Sequence, residues 1–167
     1  MIHGLSQKLS ARSNKELTTP LQTLTFGNDN HILTLLDFVL MSSVLIIDDD
    51  QDLCDMVVRL LSREGYSVEQ CTDSERGLRA ALSGNYDVVL LDIMMPRLDG
   101  WVTAVKLRED PLTRDIKVVM ITARAQEDDK ARGHQIGVDA YLTKPFDPGE
   151  MIRVVRELAG APPTALG

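Results

Sequence analysis

Residues 44–61 read VLIIDDDQDLCDMVVRLL, and this stretch decides the fold. Its first four residues form a short run of β-branched and leucine side chains, the composition of a strand covered on both faces. From Leu53 the pattern changes. Leu53, Met56, Val57, Leu60 and Leu61 recur at the spacing of one helix face, and Gly65 then supplies a helix stop. A strand that turns through acidic residues into an amphipathic helix is the opening of a β-α-β unit.

The alternation continues along the chain. Val44–Ile47, Ser67–Gln70, Val88–Leu91, Val118–Ile121 and Ala140–Leu142 read as strands rich in Val, Ile and Leu. Less regular helices are expected near Ser74–Leu82, Trp101–Arg108 and Asp128–Gln135, with Gly84 and Gly137 as terminators. A last helix is marked by Met151, Val154, Val155 and Leu158, with Pro148 near its first position, where a missing N–H costs nothing. About five strands and five helices joined by right-handed crossovers give an α/β, flavodoxin-like, doubly wound parallel sheet of order 2-1-3-4-5. Its ligand site lies at the carboxyl ends of the strands, and the first and third strands flank the switch point.

At 167 residues the chain has room for one well-buried domain and a short extension. Residues 42–160 are expected to be that domain. Residues 1–41 read as a mostly irregular leader, with a short helix over 31–40 sketched by Ile32, Leu35, Leu36 and Val39. Met41 directly precedes the first strand, so it is expected to be the biological start, which makes the leader an upstream extension. Residues 161–167, which include Pro162 and Pro163, can bury little and are expected to be a disordered tail.

The composition, 44% hydrophobic and 26% charged, is that of a soluble globular protein. No apolar run approaches the roughly 20 residues of a membrane helix. The net charge is −7, and residues 1–40 are neutral (Lys8, Arg12 and Lys15 against Glu16, Asp29 and Asp37), so the acidity belongs to the main domain. With no basic stripe, direct nucleic-acid contact is not expected. Cys54 and Cys71 are too few for a zinc site and read as buried free thiols. The apolar stretch 32–41 is interrupted by Asp37 and followed by no small-residue cleavage site, so a cytoplasmic location is expected. His3, His31 and His134 are scattered and get ordinary roles, and Met94, Met95 and Trp101 are expected to pack around the site.

The chemistry sits at the strand ends. Asp48-Asp49-Asp50 close the first strand and Asp92 the third, so this topology gathers carboxylates at one edge of the sheet. Alone, the acidic triplet reads equally as a solvated turn or a helix cap, and Asp92 as a turn former before Pro96, Asp99 and Gly100. Together they need a cation, since two carboxylates about 4 Å apart repel by roughly 4 kcal/mol at an effective dielectric of about 20. All-oxygen ligands suit Mg²⁺, with Mn²⁺ as a substitute, rather than zinc. Thr122 at the end of the fourth strand and Lys144 just after the fifth add a hydroxyl and an ammonium to the same edge, both complementary to a phosphoryl group. Each alone is also an ordinary strand threonine or surface lysine.

Four segments, VLIIDDD, VVLLDIMMPRLDG, VVMITARA and YLTKPF, stand in the order and at roughly the spacing of the response-regulator receiver family, and the chain resembles that family from Val44 to Leu158. The resemblance implies a stand-alone, chemotaxis-regulator-like receiver of a two-component system or phosphorelay. It makes Asp92 the phosphoacceptor, with Asp48, Asp49, Asp92 and the Met94 backbone carbonyl around the metal and Asp50 a bystander. Thr122 would bond a phosphoryl oxygen, Lys144 would pair with the phosphoryl group, and Pro145 would follow a cis peptide. Thr122 and Tyr141 would be the switch residues, although a tyrosine on a short edge strand is as readily a packing residue. The donor would be a histidine kinase or histidine phosphotransfer protein, and output would pass to a protein target through residues 128–158. Such a receiver is no enzyme beyond assisting its own Mg²⁺-dependent phosphorylation and dephosphorylation.

Two other readings remain open on sequence. A haloacid-dehalogenase-like phosphatase would use Asp48, Asp50, Thr122 and Lys144, but Asp52 stands where that family has Thr or Val, and Asp92 has no place in it. A receiver-shaped module that works without phosphorylation would use the same surface.

Overall fold

In the computed structural model, residues 41–123 and 127–160 are described. The leader with its expected helix over 31–40, His3, His31 and the tail 161–167 lie outside the described residues. Strands β1 (Ser43–Ile47), β2 (Ser67–Cys71), β3 (Val88–Asp92), β4 (Lys117–Thr122) and β5 (Ala140–Thr143) alternate with helices α1 (Gln51–Arg63), α2 (Ser74–Ser83), α3 (Gly100–Glu109), α4 (Glu127–Ile136) and α5 (Pro148–Ala159). The sheet order is β2-β1-β3-β4-β5 and every pairing is parallel. This is the expected doubly wound topology.

Strand alternation sorts the apolar residues into two layers. Leu45, Ile47, Val89, Leu91, Val118 and Met120 face one side, where they meet Leu78 and Ala81 of α2 and Trp101, Ala104 and Leu107 of α3. Val44, Ile46, Val88, Leu90, Val119 and Ile121 face the other, against Cys54, Val57 and Leu61 of α1 and Met151 and Val155 of α5. Every residue of β3 is buried, as the central strand of a sheet covered on both faces should be.

Much of the negative charge goes into starting helices. Asp50, Asp73, Asp99 and Asp147 are the N-caps of α1, α2, α3 and α5, and each side chain accepts a backbone N–H of the first turn. Pro148 stands at the start of α5, and left-handed Gly65 and Gly137 follow α1 and α4, as the sequence indicated. Helix α5 runs through Ala159, because its end is tied to the sheet: Ser42 Oγ donates to the Ala159 carbonyl at 3.2 Å and the Tyr66 hydroxyl to the Gly160 carbonyl at 3.1 Å. No helix among the described residues is long and apolar enough to cross a membrane.

Candidate phosphoacceptor site

β1 and β3 are adjacent and run in the same direction, so the residues that follow them emerge side by side. Asp48, fully buried, is the first residue after β1, and Asp92, 4% exposed, is the last of β3. With the exposed Asp49 they form a group in which one carboxylate oxygen from each residue lies within 4.8 Å of the others. Lys144 reaches in from the loop after β5, its Nζ 2.7 Å from Asp48 Oδ2 and 3.4 Å from Asp92 Oδ1. The Lys144–Pro145 peptide is cis, as the family resemblance implied.

The site is short of positive charge. Burial raises the pKa of Asp92 above the ordinary aspartate range, and the Asp48 charge adds to this, while Lys144 and the Met94 N–H oppose it. Burial pulls Lys144 the other way, but its hydrogen bonds and charge contacts with Asp48 and Asp92 outweigh that and hold its pKa above the usual value. Asp48 Oδ2 is buried and pairs with the Lys144 ammonium 2.7 Å away. An all-oxygen group of three carboxylates, two of them paired with this ammonium, fits a hard divalent cation, and the absence of His and Cys from the group disfavours zinc.

Thr122, 5% exposed, ends β4, one residue beyond the partner of Asp92 in the β3–β4 register. Its carbonyl accepts the Lys144 N–H at 2.7 Å, which ties the lysine to the end of β4. Tyr141 is half-buried against the apolar layer of α3, and its hydroxyl donates to the Asp129 carbonyl of α4 at 3.0 Å. Met94 donates its N–H to Asp92, but its side chain is 75% exposed. The expectation that Met94 packs around the site therefore fails, whereas Met95 and Trp101 are buried as expected. Asp50 stands outside the cluster: it is exposed, and its Oδ1 is used on the Leu53 N–H. That removes the second aspartate a dehalogenase-like reading needs.

Two contributors were not legible in the sequence. The buried Cys54 thiol donates to the Asp48 carbonyl at 3.3 Å, and burial, with the Asp48 charge second, pushes its pKa up to about 12. Cys54 is buried and free, as expected, and its helix position gives no sign of the contact with Asp48. Gly100 lies so close to the Asp92 carbonyl that a Cβ there would overlap it, and its N–H bonds the Ile93 carbonyl at 3.1 Å. Its place after Asp99 signals a helix start, and nothing in the sequence signals the close approach.

A family model described as the response regulator receiver domain matches residues 44–156. The chain belongs to the response-regulator receiver family. The regulator RpaA of Synechocystis sp., described as a DNA-binding dual master transcriptional regulator, is 44% identical over 118 residues, covering 71% of this chain and 49% of its own length. The transcriptional regulatory protein DltR of Streptococcus agalactiae is 36% identical over 113 residues, covering 68% of this chain and 50% of its own. This chain thus spans about half the length of these relatives. Chemotaxis protein CheY4 of Vibrio cholerae superposes with a TM-score of 0.67 at 27% identity, over 71% of this chain and 98% of its own. The receiver domain of a Pseudomonas aeruginosa sensor histidine kinase, solved with a magnesium ion coordinated in its active-site cleft, has a TM-score of 0.65 at 28% identity, over 72% of this chain and 98% of its own. Receiver domains of this family bind Mg²⁺ at an acidic pocket, and this chain carries such a pocket at Asp48, Asp49 and Asp92. As a receiver, the domain is a signalling module of a two-component system rather than a conventional enzyme.

Proposed function

We propose that Asp92 accepts a phosphoryl group from the phosphohistidine of a histidine kinase or histidine phosphotransfer protein, with Mg²⁺ held by Asp48, Asp49, Asp92 and the Met94 backbone carbonyl. The observation that carries this is the meeting of three carboxylates with a single ammonium, Lys144, at the carboxyl edge of the sheet. Mg²⁺ or Mn²⁺, when bound, supplies charge that offsets the carboxylates and the phosphoryl oxygens. A carboxylate oxygen of Asp92 attacks phosphorus in line, the new O–P bond forms as the P–N bond to histidine breaks, and the freed imidazole takes a proton from solvent. Lys144 is already within ion-pair reach of Asp92, so it can follow an equatorial oxygen without reorganising the loop after β5. Thr122 then donates its hydroxyl to a phosphoryl oxygen, and Tyr141 follows it. The same residues assist hydrolysis of the phosphoaspartate, so the chain takes part in its own phosphorylation and dephosphorylation.

The phosphoaspartate carries roughly −1.5 to −2 charges at neutral pH. Moving a two-state switch from 1:99 to 99:1 takes about 5.5 kcal/mol, within reach of a few charge-assisted hydrogen bonds. We place the output surface on residues 128–158, where a protein target docks in the cytoplasm, with no direct contact to nucleic acid or membrane. Incubation with a small acyl-phosphate donor and Mg²⁺, read by intact mass, tests the site: wild type should gain one phosphoryl group, while Asp92→Asn and the chelator-treated protein should not. Equal labelling of Asp92→Asn and wild type would overturn the assignment. Equal binding of a target to both proteins under phosphorylating conditions would favour the phosphorylation-independent module instead.

A further inference from the structure

Tyr141 lies in a seat that one absent side chain makes possible. Its hydroxyl donates to the Asp129 carbonyl, and a Cβ placed on Gly133 would overlap that hydroxyl and come within 3.3 Å of Val138 Cβ. In an α-helix the carbonyl of residue 129 is also the acceptor for the N–H of residue 133. The tyrosine therefore adds a second donor to that carbonyl by closing on the helix directly over position 133. Gly133 is buried within α4, where glycine weakens a helix relative to alanine and has no turn to make.

Helix α4 has contacts of its own to keep. Its carboxyl end is capped by the N–H groups of Gly137 and Val138, both 2.8 Å from the Gly133 carbonyl. On another side the Arg132 guanidinium lies over the Trp101 ring of α3, 4.8 Å from its centroid, and Trp101 is 3% exposed. A methyl group on residue 133 would therefore displace the far end of Tyr141, the flexible partner, rather than α4.

We propose that Gly133 is a positioning residue: by carrying no side chain it admits Tyr141 to its seat against α4, and so lets the tyrosine of β5 couple to that helix. The consequence for signalling rests on the receiver reading above, in which Tyr141 is the switch residue. With alanine at 133 the site at Asp92 stays intact, and the seat of Tyr141 against α4 is closed.

The test is a double-mutant cycle on the full chain with Gly133→Ala, Tyr141→Ala and the combination, read by thermal unfolding. Gly133→Ala should lower Tm in the wild-type background and lower it much less, or raise it, in the Tyr141→Ala background, where the gain in helix propensity is set against the 3.3 Å approach to Val138 Cβ. An equal drop in both backgrounds would overturn the proposal. Ring-labelled tyrosine spectra give a second readout that does not depend on stability. In Gly133→Ala the Tyr141 signal should move and titrate at lower pH than in wild type, while Tyr66 and Tyr86 keep their signals. An unmoved Tyr141 signal in folded Gly133→Ala would equally defeat it. Acyl-phosphate labelling of Gly133→Ala should match wild type. Loss of labelling in both proteins would count against Asp92 as acceptor, and the difference between the two backgrounds would still decide the role of Gly133.

Discussion

The two ends of the sheet handle charge in opposite ways. At the amino ends of β4 and β5, Arg108 donates to the carbonyls of Gly137, Arg114 and Ile116 and to Asp139 Oδ2, over distances of 2.7–3.0 Å. Asp139 is bonded in turn by Lys117 Nζ and the Val118 N–H, each at 2.9 Å. Two cations surround one carboxylate, and donors match acceptors. At the carboxyl ends, three carboxylates cluster and the Lys144 ammonium pairs with two of them. The first arrangement holds the structure together. The second concentrates like charge in a largely buried place, which is the usual mark of a functional site.

Removing one charge at each end should therefore change stability in opposite directions. Arg108→Ala strips partners from Asp139 and three carbonyls, and should destabilise the domain by about 2–4 kcal/mol in chemical denaturation. Equal stability of this variant and wild type would show that the amino-end network is solvated rather than structural. Asp92→Asn relieves like-charge repulsion and should stabilise the metal-free protein by about 1 kcal/mol while abolishing phosphorylation. A destabilised Asp92→Asn would mean that the Lys144 contact outweighs the repulsion from Asp48.

Titration sharpens the contrast. A carboxyl whose folded pKa lies above its unfolded value favours the protonated form in the fold. Its contribution to stability is complete below the unfolded value and is lost as pH rises through the folded one. For Asp92 the unfolded value is near 3.8, so metal-free protein should lose stability as pH rises above that range. Saturating Mg²⁺ or Asp92→Asn should flatten the slope, as followed by thermal unfolding across a pH series. A slope that persists in Asp92→Asn would assign it to another group.

The smallest effect belongs to an exposed pair outside both clusters. Arg97 lies 2.9 Å from Asp73, with the arginine side chain 68% exposed, and Arg97→Ala should change stability by less than about 0.5 kcal/mol. A larger loss in denaturant would mean that this pair fixes the loop after β3, which Ser74 Oγ also holds through the Pro96 carbonyl at 2.9 Å.

Hydrophobic period made the fold legible: the apolar runs and the spacing in α1 and α5 follow from local geometry, and the sheet order follows from crossover handedness. The acidic edge was legible for the same reason, since parallel strands place their carboxyl ends together. Residue type and spacing alone could not separate Asp48 from Asp50, or Asp92 from Asp99; only the family resemblance did. Asp48 is buried in the site, while Asp50, two residues on, has turned into the cap of α1. Asp99 caps α3 in the same way. Capping and clustering use the same side chain, and what divides them is whether the backbone at that residue points the carboxylate at its own helix or at a neighbouring strand. The clearance at Gly100 and Gly133 has the same origin. Glycine announces freedom of the chain, whereas the atom that would occupy the empty space, the Asp92 carbonyl or the Tyr141 hydroxyl, comes from a distant segment and is fixed only when the sheet and helices are packed.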